Sequence, residues 1–262
     1  MFTLAVVVAH PDDDAYGIGG SVALHAADEG FRFVLVHATD GEAGDIRPGF
    51  PATRETLGRV RRAEDEAGWT ALGRPPDRHV WLGLPDGDVD RVPFDDLVSA
   101  IWDVLREEQP SVVYTFGPDG IFGHPDHIAV GAATDAAFAL GAAHHGLAFR
   151  RLLHGAIPES VFSRWNAQRA QLGLSTWDPD LTYHMRGVPD EEIGVLVDCR
   201  PVAHLTVNGL REHRSQHHVF IDDPEDVERW RRILSREWHV LAWPPRASDL
   251  PPLSDIFERL LD

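Results

Sequence analysis

The sequence has no lysine; all 24 basic residues are arginine. Without a lysine amine there can be no Schiff base, no catalytic lysine and no lysine-tipped phosphate loop. Cysteine occurs once, at Cys199. That excludes an internal disulfide and a Cys-rich zinc site, so any metal must be held by His, Asp and Glu. No apolar run approaches the roughly 20 residues of a membrane span. Met1-Phe2 leads straight into a strand-like run and leaves no room for a signal peptide, so the expected location is the cytoplasm. Positive charge is also scarce. The 42 acidic residues outnumber the basic ones and leave a net charge of −18, which opposes nucleic acid and anionic membranes as partners. No repeat, low-complexity tract or linker divides the chain, and 1–262 is expected to form one domain that can bury a full core.

What is present alternates between buried strands and amphipathic helices. Apolar runs predict strands at Thr3–Ala9, Phe31–His37, His79–Leu82 and Ser111–Phe116. Between and after them, helices are predicted from Ala15, over Ala52–Leu72, over Phe94–Glu107 and over Asp126–Ala143. Leu57, Val60, Ala63, Ala67 and Ala71 form one stripe of the second helix, with Arg61 and Glu64 off it. This alternation implies a mostly parallel α/β sheet with helices on both faces. The later part is less regular. Strands are expected at Arg151–Ile157 and Ile193–Asp198, helices at Val202–His218 and Pro224–Trp238, and an irregular segment over Ser163–Val188 that caps the site. Gly17, Gly19 and Gly20 nearly match a dinucleotide fingerprint, but Val22 stands where the third glycine belongs and the acidic turn before them would repel a pyrophosphate.

Two clusters carry the chemistry. The first strand ends in His10-Pro11-Asp12-Asp13-Asp14, and the fourth leads to Gly123-His124-Pro125-Asp126-His127. In an open α/β sheet, ligands bind beyond the C-terminal ends of strands. Residues three apart on a helical turn share a face, and two histidines with one carboxylate suit catalytic zinc or non-haem iron. A carboxylate beside the metal can act as base towards water, and the remaining histidine can stabilise an oxyanion and protonate a leaving amine. Each piece also has a plainer reading. An acid of the first turn can cap the helix. Asp126 can be an N-cap or the partner that orients a ligand imidazole. Arg61 can pair with Glu64 or Asp65 in solvent. His144-His145 and His217-His218 read as solvated surface.

With both clusters in place, the sequence resembles the LmbE-like/PIG-L family of metal-dependent N-deacetylases. The family's first signature is Ala9-His10-Pro11-Asp12-Asp13-Asp14 here, and its second is His124-Pro125-Asp126-His127. Thr39-Asp40-Gly41-Glu42, the Arg61-x-x-Glu64 helix, Leu84-Pro85-Asp86-Gly87, Val188–Ile193 and His213-Arg214-Ser215-Gln216 also follow the pattern. The resemblance implies a Rossmann-like fold and one zinc ion, with ferrous iron as the other metal compatible with the donor set, held by His10, Asp13 and His127. It implies Asp12 as general base and His124 as the group that stabilises the intermediate and protonates the amine. It places Glu42, Arg61 and Asp86 around an N-acylated amino-sugar substrate, such as a conjugate of N-acetylglucosamine. The implied partner is thus a small molecule, and a homo-oligomer is compatible with the sequence.

Three departures stand out. Asp14 replaces the usual Glu, a change expected to alter a helix contact rather than the metal. Phe122 stands where family members acting on inositol-linked glucosamine carry a Tyr that assists the oxyanion. The Lys that follows the acidic turn in mycothiol-conjugate amidases is absent. The last two argue against a mycothiol-pathway substrate. The alternatives are an amidase acting on another small amide conjugate, a metallo-phosphoesterase, which needs two metals about 3.5–4 Å apart, and a sugar-binding module without turnover.

Overall fold

A computed structural model of the chain describes residues 2–143, 148–217, 226–247 and 250–260. The apolar runs become parallel strands β1 (Phe2–Val8), β2 (Phe31–His37), β3 (Arg78–Trp81), β4 (Val112–Phe116) and β5 (Arg151–Gly155). Two further strands, β6 (Ile193–Asp198) and β7 (Arg236–Trp243), complete one seven-stranded sheet in the order β3-β2-β1-β4-β5-β7-β6. The first five strands follow the Rossmann-like order 3-2-1-4-5, whereas β7 runs antiparallel to both β5 and β6. Leu4 to Val8 of β1 are wholly buried, as befits a central parallel strand covered on both faces.

The helices are α1 (Asp13–Leu24), α2 (Arg54–Leu72), α3 (Phe94–Glu108), the short kinked turn α4 (Gly120–Gly123), α5 (Pro125–Ala142), α6 (Glu159–Gln171) and α7 (Ala203–Leu210). Right-handed crossovers put α1 and α2 on one face. The chain reverses its travel across the sheet after β3, so α3 and α5 cover the other. Accordingly α1, α2 and α7 pack together, and α3 packs on α5. Gly17 lets α1 lie close on the sheet: a Cβ there would stand 2.0 Å from the Tyr114 hydroxyl oxygen. Gly73 ends α2 with φ +97°, the left-handed conformation that glycine adopts without steric cost. Among the described residues, no helix is long and apolar enough to cross a membrane.

The later part departs from the pattern read in the sequence. The segment expected to be irregular from Ser163 opens inside α6, and becomes irregular only after Gln171. The helix expected over Val202–His218 breaks after Leu210: residues 211–216 are turns and bends, and residue 218 lies outside the described part. The expected helix Pro224–Trp238 is a short helix, Val227–Ile233, followed by strand β7; residues 224 and 225 lie outside the described part. The strand is disguised because two of its buried positions are polar, Glu237 and His239. Glu237 Oε1 accepts the Gly20 N–H at 2.6 Å, and its Oε2 accepts that of Ser21 at 3.1 Å, so the side chain is buried against α1 rather than presented to solvent.

Candidate metal centre

The strand order reverses between β1 and β4, and the crevice beyond their C-terminal ends holds both clusters. The β1–α1 turn carries His10 to Asp14. After β4, the chain passes through α4 and delivers His124, whose Nδ1 accepts the Asp126 N–H at 3.1 Å and caps α5. His127 follows one turn into α5 and is buried. The backbone is strained on both sides. Asp12 has φ +108° and Ile121 has φ +66°; a left-handed β-branched residue costs of order 1–3 kcal/mol and persists only where its surroundings enforce it.

Three donor atoms converge. His10 Nδ1 lies 3.2 Å from His127 Nε2 and 3.2 Å from Asp13 Oδ2, and the last two are 3.3 Å apart. A tetrahedral zinc ion with bonds of about 2.0–2.1 Å has donors about 3.3–3.4 Å apart, so the triangle has the size such an ion requires. The opposite nitrogens are occupied. His127 Nδ1 faces the Gly120 carbonyl at 3.2 Å, while His10 Nε2 faces Asp126 Oδ2 at 3.2 Å and Asp86 Oδ1 at 3.0 Å. This is how ligand imidazoles are held in register around a metal. His124 brings a further nitrogen within 4.8 Å of those of His10 and His127. The cluster is therefore capable of coordinating a metal ion.

The charges respond to this crowding. Burial alone would lower the imidazolium of His10, but hydrogen bonds to Asp126, Asp13 and Asp86 carry it well above its ordinary value. Burial opposes ionisation of Asp13, yet the adjacent His127 and His10 hold it well below the usual carboxylate range. Burial, followed by His10 and His127, pushes His124 down to about 4. Asp12 moves up to about 7, chiefly because it is buried, with Arg61 opposing the shift.

Arg61 is placed differently from either sequence reading of it. It is buried on α2, donating from Nη1 to the Gly41 carbonyl at 3.0 Å and from Nη2 to the Pro11 carbonyl at 2.7 Å and Asp12 Oδ2 at 3.0 Å. Its partner is Asp12, not Glu64 or Asp65 in solvent. Glu64 is also buried and accepts both the N–H and the hydroxyl of Ser215, at 2.8 and 2.6 Å. Glu42 and Asp86 join the loops after β2 and β3: Glu42 Oε1 accepts the Asp86 N–H at 2.9 Å, and Asp86 Oδ2 accepts the Ala43 N–H at 2.8 Å. Asp126 is not the N-cap of α5. Its carboxylate is fully buried, takes the Gly87 and Val89 N–H groups at 2.8 and 3.1 Å, and touches His10. Asp14 turns away from the centre to accept the indole N–H of Trp69 at 2.6 Å. His217 is buried, its Nε2 2.9 Å from the Arg211 carbonyl, rather than solvated; residues 144, 145 and 218 lie outside the described part.

Sequence reasoning gives no individual role to Tyr183 or Arg186 within the capping segment. The Tyr183 ring stands edge-on to His124, centroids 5.2 Å apart, with the residue at φ +64°. Arg186 donates to the Asp119 carbonyl at 3.3 Å. Nothing in local periodicity marks these contacts, because they arise from an irregular segment folding over α4.

A Rossmann-like sheet with two histidines and a carboxylate converging at its switch point defines an α/β protein with a site capable of coordinating a metal ion. Residues 5–138 match the PIG-L family, described as GlcNAc-PI de-N-acetylase, and the chain belongs to that family. It is 31% identical over 246 residues to 1D-myo-inositol 2-acetamido-2-deoxy-alpha-D-glucopyranoside deacetylase 2 of Saccharopolyspora erythraea, covering 83% of this chain and 84% of that protein. It is 30% identical over 237 residues to the corresponding deacetylase of Rhodococcus erythropolis, covering 81% of this chain and 80% of that protein. Among solved structures, a conserved protein of Thermus thermophilus superposes with a TM-score of 0.62 at 25% identity, covering 94% of this chain and 97% of that one. The fold is shared with the N,N'-diacetylchitobiose deacetylase of Pyrococcus horikoshii, at a TM-score of 0.56 and 23% identity, covering 88% of this chain and 75% of that one. Family membership and the His/Asp cluster together support a metal-dependent hydrolase of the deacetylase type that acts on an amide bond.

Proposed function

We propose that the protein is a zinc-dependent N-deacetylase that removes an acetyl or other small acyl group from an N-acylated amino sugar, an N-acetylglucosamine conjugate in the first instance. The observation that carries this reading is the triangle of His10 Nδ1, Asp13 Oδ2 and His127 Nε2, sized for a tetrahedral ion and adjoined by a strained, Arg61-held Asp12. His10, Asp13 and His127 would hold the metal, zinc or ferrous iron. When bound, it supplies a Lewis acid for the amide carbonyl and lowers the pKa of water to about 7.

The chain's own groups do the rest. Asp12 receives the proton of the attacking water; its position is set by the guanidinium of Arg61, which also fixes the Pro11 and Gly41 carbonyls. His124 would donate its Nε2–H to the charge that develops on the amide oxygen, and the proton that Asp12 takes from water would pass through His124 to the departing amine, leaving both groups as they began. Asp126 orients His10 from behind. Glu42, Arg61 and Asp86 are the proposed sugar-side residues. Of these, Glu42 is held by the Asp86 N–H and Arg61 by the Gly41 and Pro11 carbonyls and Asp12, while Asp86 is shared with His10. The curated relatives are named for an inositol-linked substrate, but Phe122 offers no hydroxyl to the oxyanion, so that task falls more heavily on the metal and His124.

The test is acetate release from a panel of N-acetylglucosamine conjugates, including the inositol-linked one, by zinc-loaded protein. Turnover of at least one, lost in Asp12→Ala, is the expected result. A metal-loaded protein inert towards every amino sugar would move the reading to a different amide.

A further inference from the structure

Beneath the loops that carry Glu42 and Asp86 lies a second group of histidine and aspartate side chains that the proposed reaction does not use. His37 closes β2, His79 lies on the edge strand β3, and Asp65 projects from α2. The side chains of His37 and Asp65 are completely buried, and that of His79 is 14% exposed. His37 Nδ1 stands 2.9 Å from His79 Nε2, which stands 3.8 Å from Asp65 Oδ2. One donor atom from each of the three residues lies within 4.8 Å of the other two.

Polar accounting does not close here. Neither oxygen of Asp65 receives a hydrogen bond, and His37 Nε2 makes none. A second buried carboxylate is close by: Asp14 Oδ1 lies 3.6 Å from His37 Nε2. Arg61 and Arg62, one turn before Asp65 on α2, are engaged with Asp12 and Asp40. Two neutral imidazoles can share one N–H···N bond, but Asp65 then has only His79 Nε2 at 3.8 Å and His37 Nε2 at 3.9 Å, both beyond hydrogen-bond distance, and it stands beside the second carboxylate of Asp14.

We infer that His37, His79 and Asp65 form a second site for a divalent transition-metal ion of the zinc class, sharing no residue with His10, Asp13 and His127. Two imidazole nitrogens and a carboxylate oxygen suit such an ion. With Nδ1 of His37 on the ion, its Nε2–H points towards Asp14, reproducing the carboxylate–imidazole–metal order found around zinc. The ion would pin β2, β3 and α2 to one another directly below the loops 39–44 and 83–88. It would also reach the catalytic turn through Asp14, whose Oδ1 accepts the Asp12 N–H at 3.2 Å.

The experiment is metal content by atomic emission. Wild type, His79→Ala, His127→Ala and the double variant are stripped with chelator, re-equilibrated with zinc chloride and desalted, with circular dichroism to verify folding. The expectation is about two zinc ions per chain in the wild type, about one in each single variant and about none in the double variant. Cobalt substitution in His127→Ala should give a visible ligand-field band that the double variant lacks. One zinc in the wild type with none in His127→Ala, or two retained in His79→Ala, would overturn the second site. If His79→Ala does not fold, the isosteric Asp65→Asn takes its place, and two zinc ions in that variant would overturn the site equally. Loss confined to His127→Ala bears on the catalytic centre and loss confined to His79→Ala on this one, so the two readings fail separately.

Discussion

The two halves of the chain make a sharp contrast. Up to α5, every strand is parallel and flanked by helices, and every side chain assigned to the proposed reaction comes from a turn or helix of this half. From β5 onwards, the sheet turns antiparallel and the segments cover or brace: Tyr183 stands against His124, Ser215 fastens Glu64, and Glu237 takes two amides of α1. The chemistry is assembled by the half whose topology dictates a crevice. The other half lies against that crevice and braces the helices that build it.

The contrast is sharpest at Asp12. Asp12→Ala should cut kcat by about 10²–10⁴-fold, the span of a general base, with zinc content unchanged. Acetate assays paired with metal analysis check this, and undiminished turnover would remove Asp12 from the role. In the second half, Glu237→Ala should leave chemistry intact and destabilise the fold. Its carboxyl serves the N–H groups of Gly20 and Ser21 and the Ser21 hydroxyl, so about 3 kcal/mol should be lost in urea denaturation. A loss below about 1 kcal/mol would mean that the halves are joined mainly by apolar packing.

A third test uses pH. The folded metal-free chain raises the pKa of His10, so this group contributes stability below about 6.5 that is lost as pH rises through its raised value. Asp12, raised to about 7, acts in the same direction: its ionisation in the fold is unfavourable as pH climbs from its ordinary value towards 7. A metal displaces the proton of His10 and counters the carboxylates, so the rise in Tm on adding zinc should grow from pH 6 to pH 8.5. A rise independent of pH would sever the metal from these groups. The smallest effect is expected at Tyr183. Tyr183→Ala should raise KM by about 2–10-fold, the worth of one aromatic contact, and leave kcat within about 2-fold. A collapse of kcat instead would place the tyrosine among the reacting groups and blur the division between halves.

The legibility of the sequence follows the same line. Parallel strands covered on both faces are continuous apolar runs, and β2, read as Phe31–His37, forms over those residues. The donor clusters are legible because both stand at strand ends with few other uses for a histidine and several acids. What escapes the sequence are long-range polar contacts. Arg61 and Glu64 lie off the apolar stripe of α2, yet both are buried, because Asp12 and Ser215 supply partners from distant segments. Strand β7 escapes for a related reason: Glu237 and His239 face inwards, so the alternation that should announce a strand has polar residues at its buried positions. Tyr183 comes from a stretch without periodicity, and only its fold over α4 brings it to His124.

The position of β7 between β5 and β6 bears on how the chain emerges from a ribosome. His127 is synthesised more than a hundred residues before Arg236, so all the proposed metal ligands are available while the sheet is still open at β5. Until β7 arrives, β5 has no neighbour on the side away from β4, and β6 has no partner that joins it to the sheet. A stalled or prematurely cleaved chain would therefore carry a nearly complete site on a surface prone to strand addition. Among the described residues β7 is the last strand to be made, and it covers the open side of β5 while β6 becomes the outer edge of the sheet.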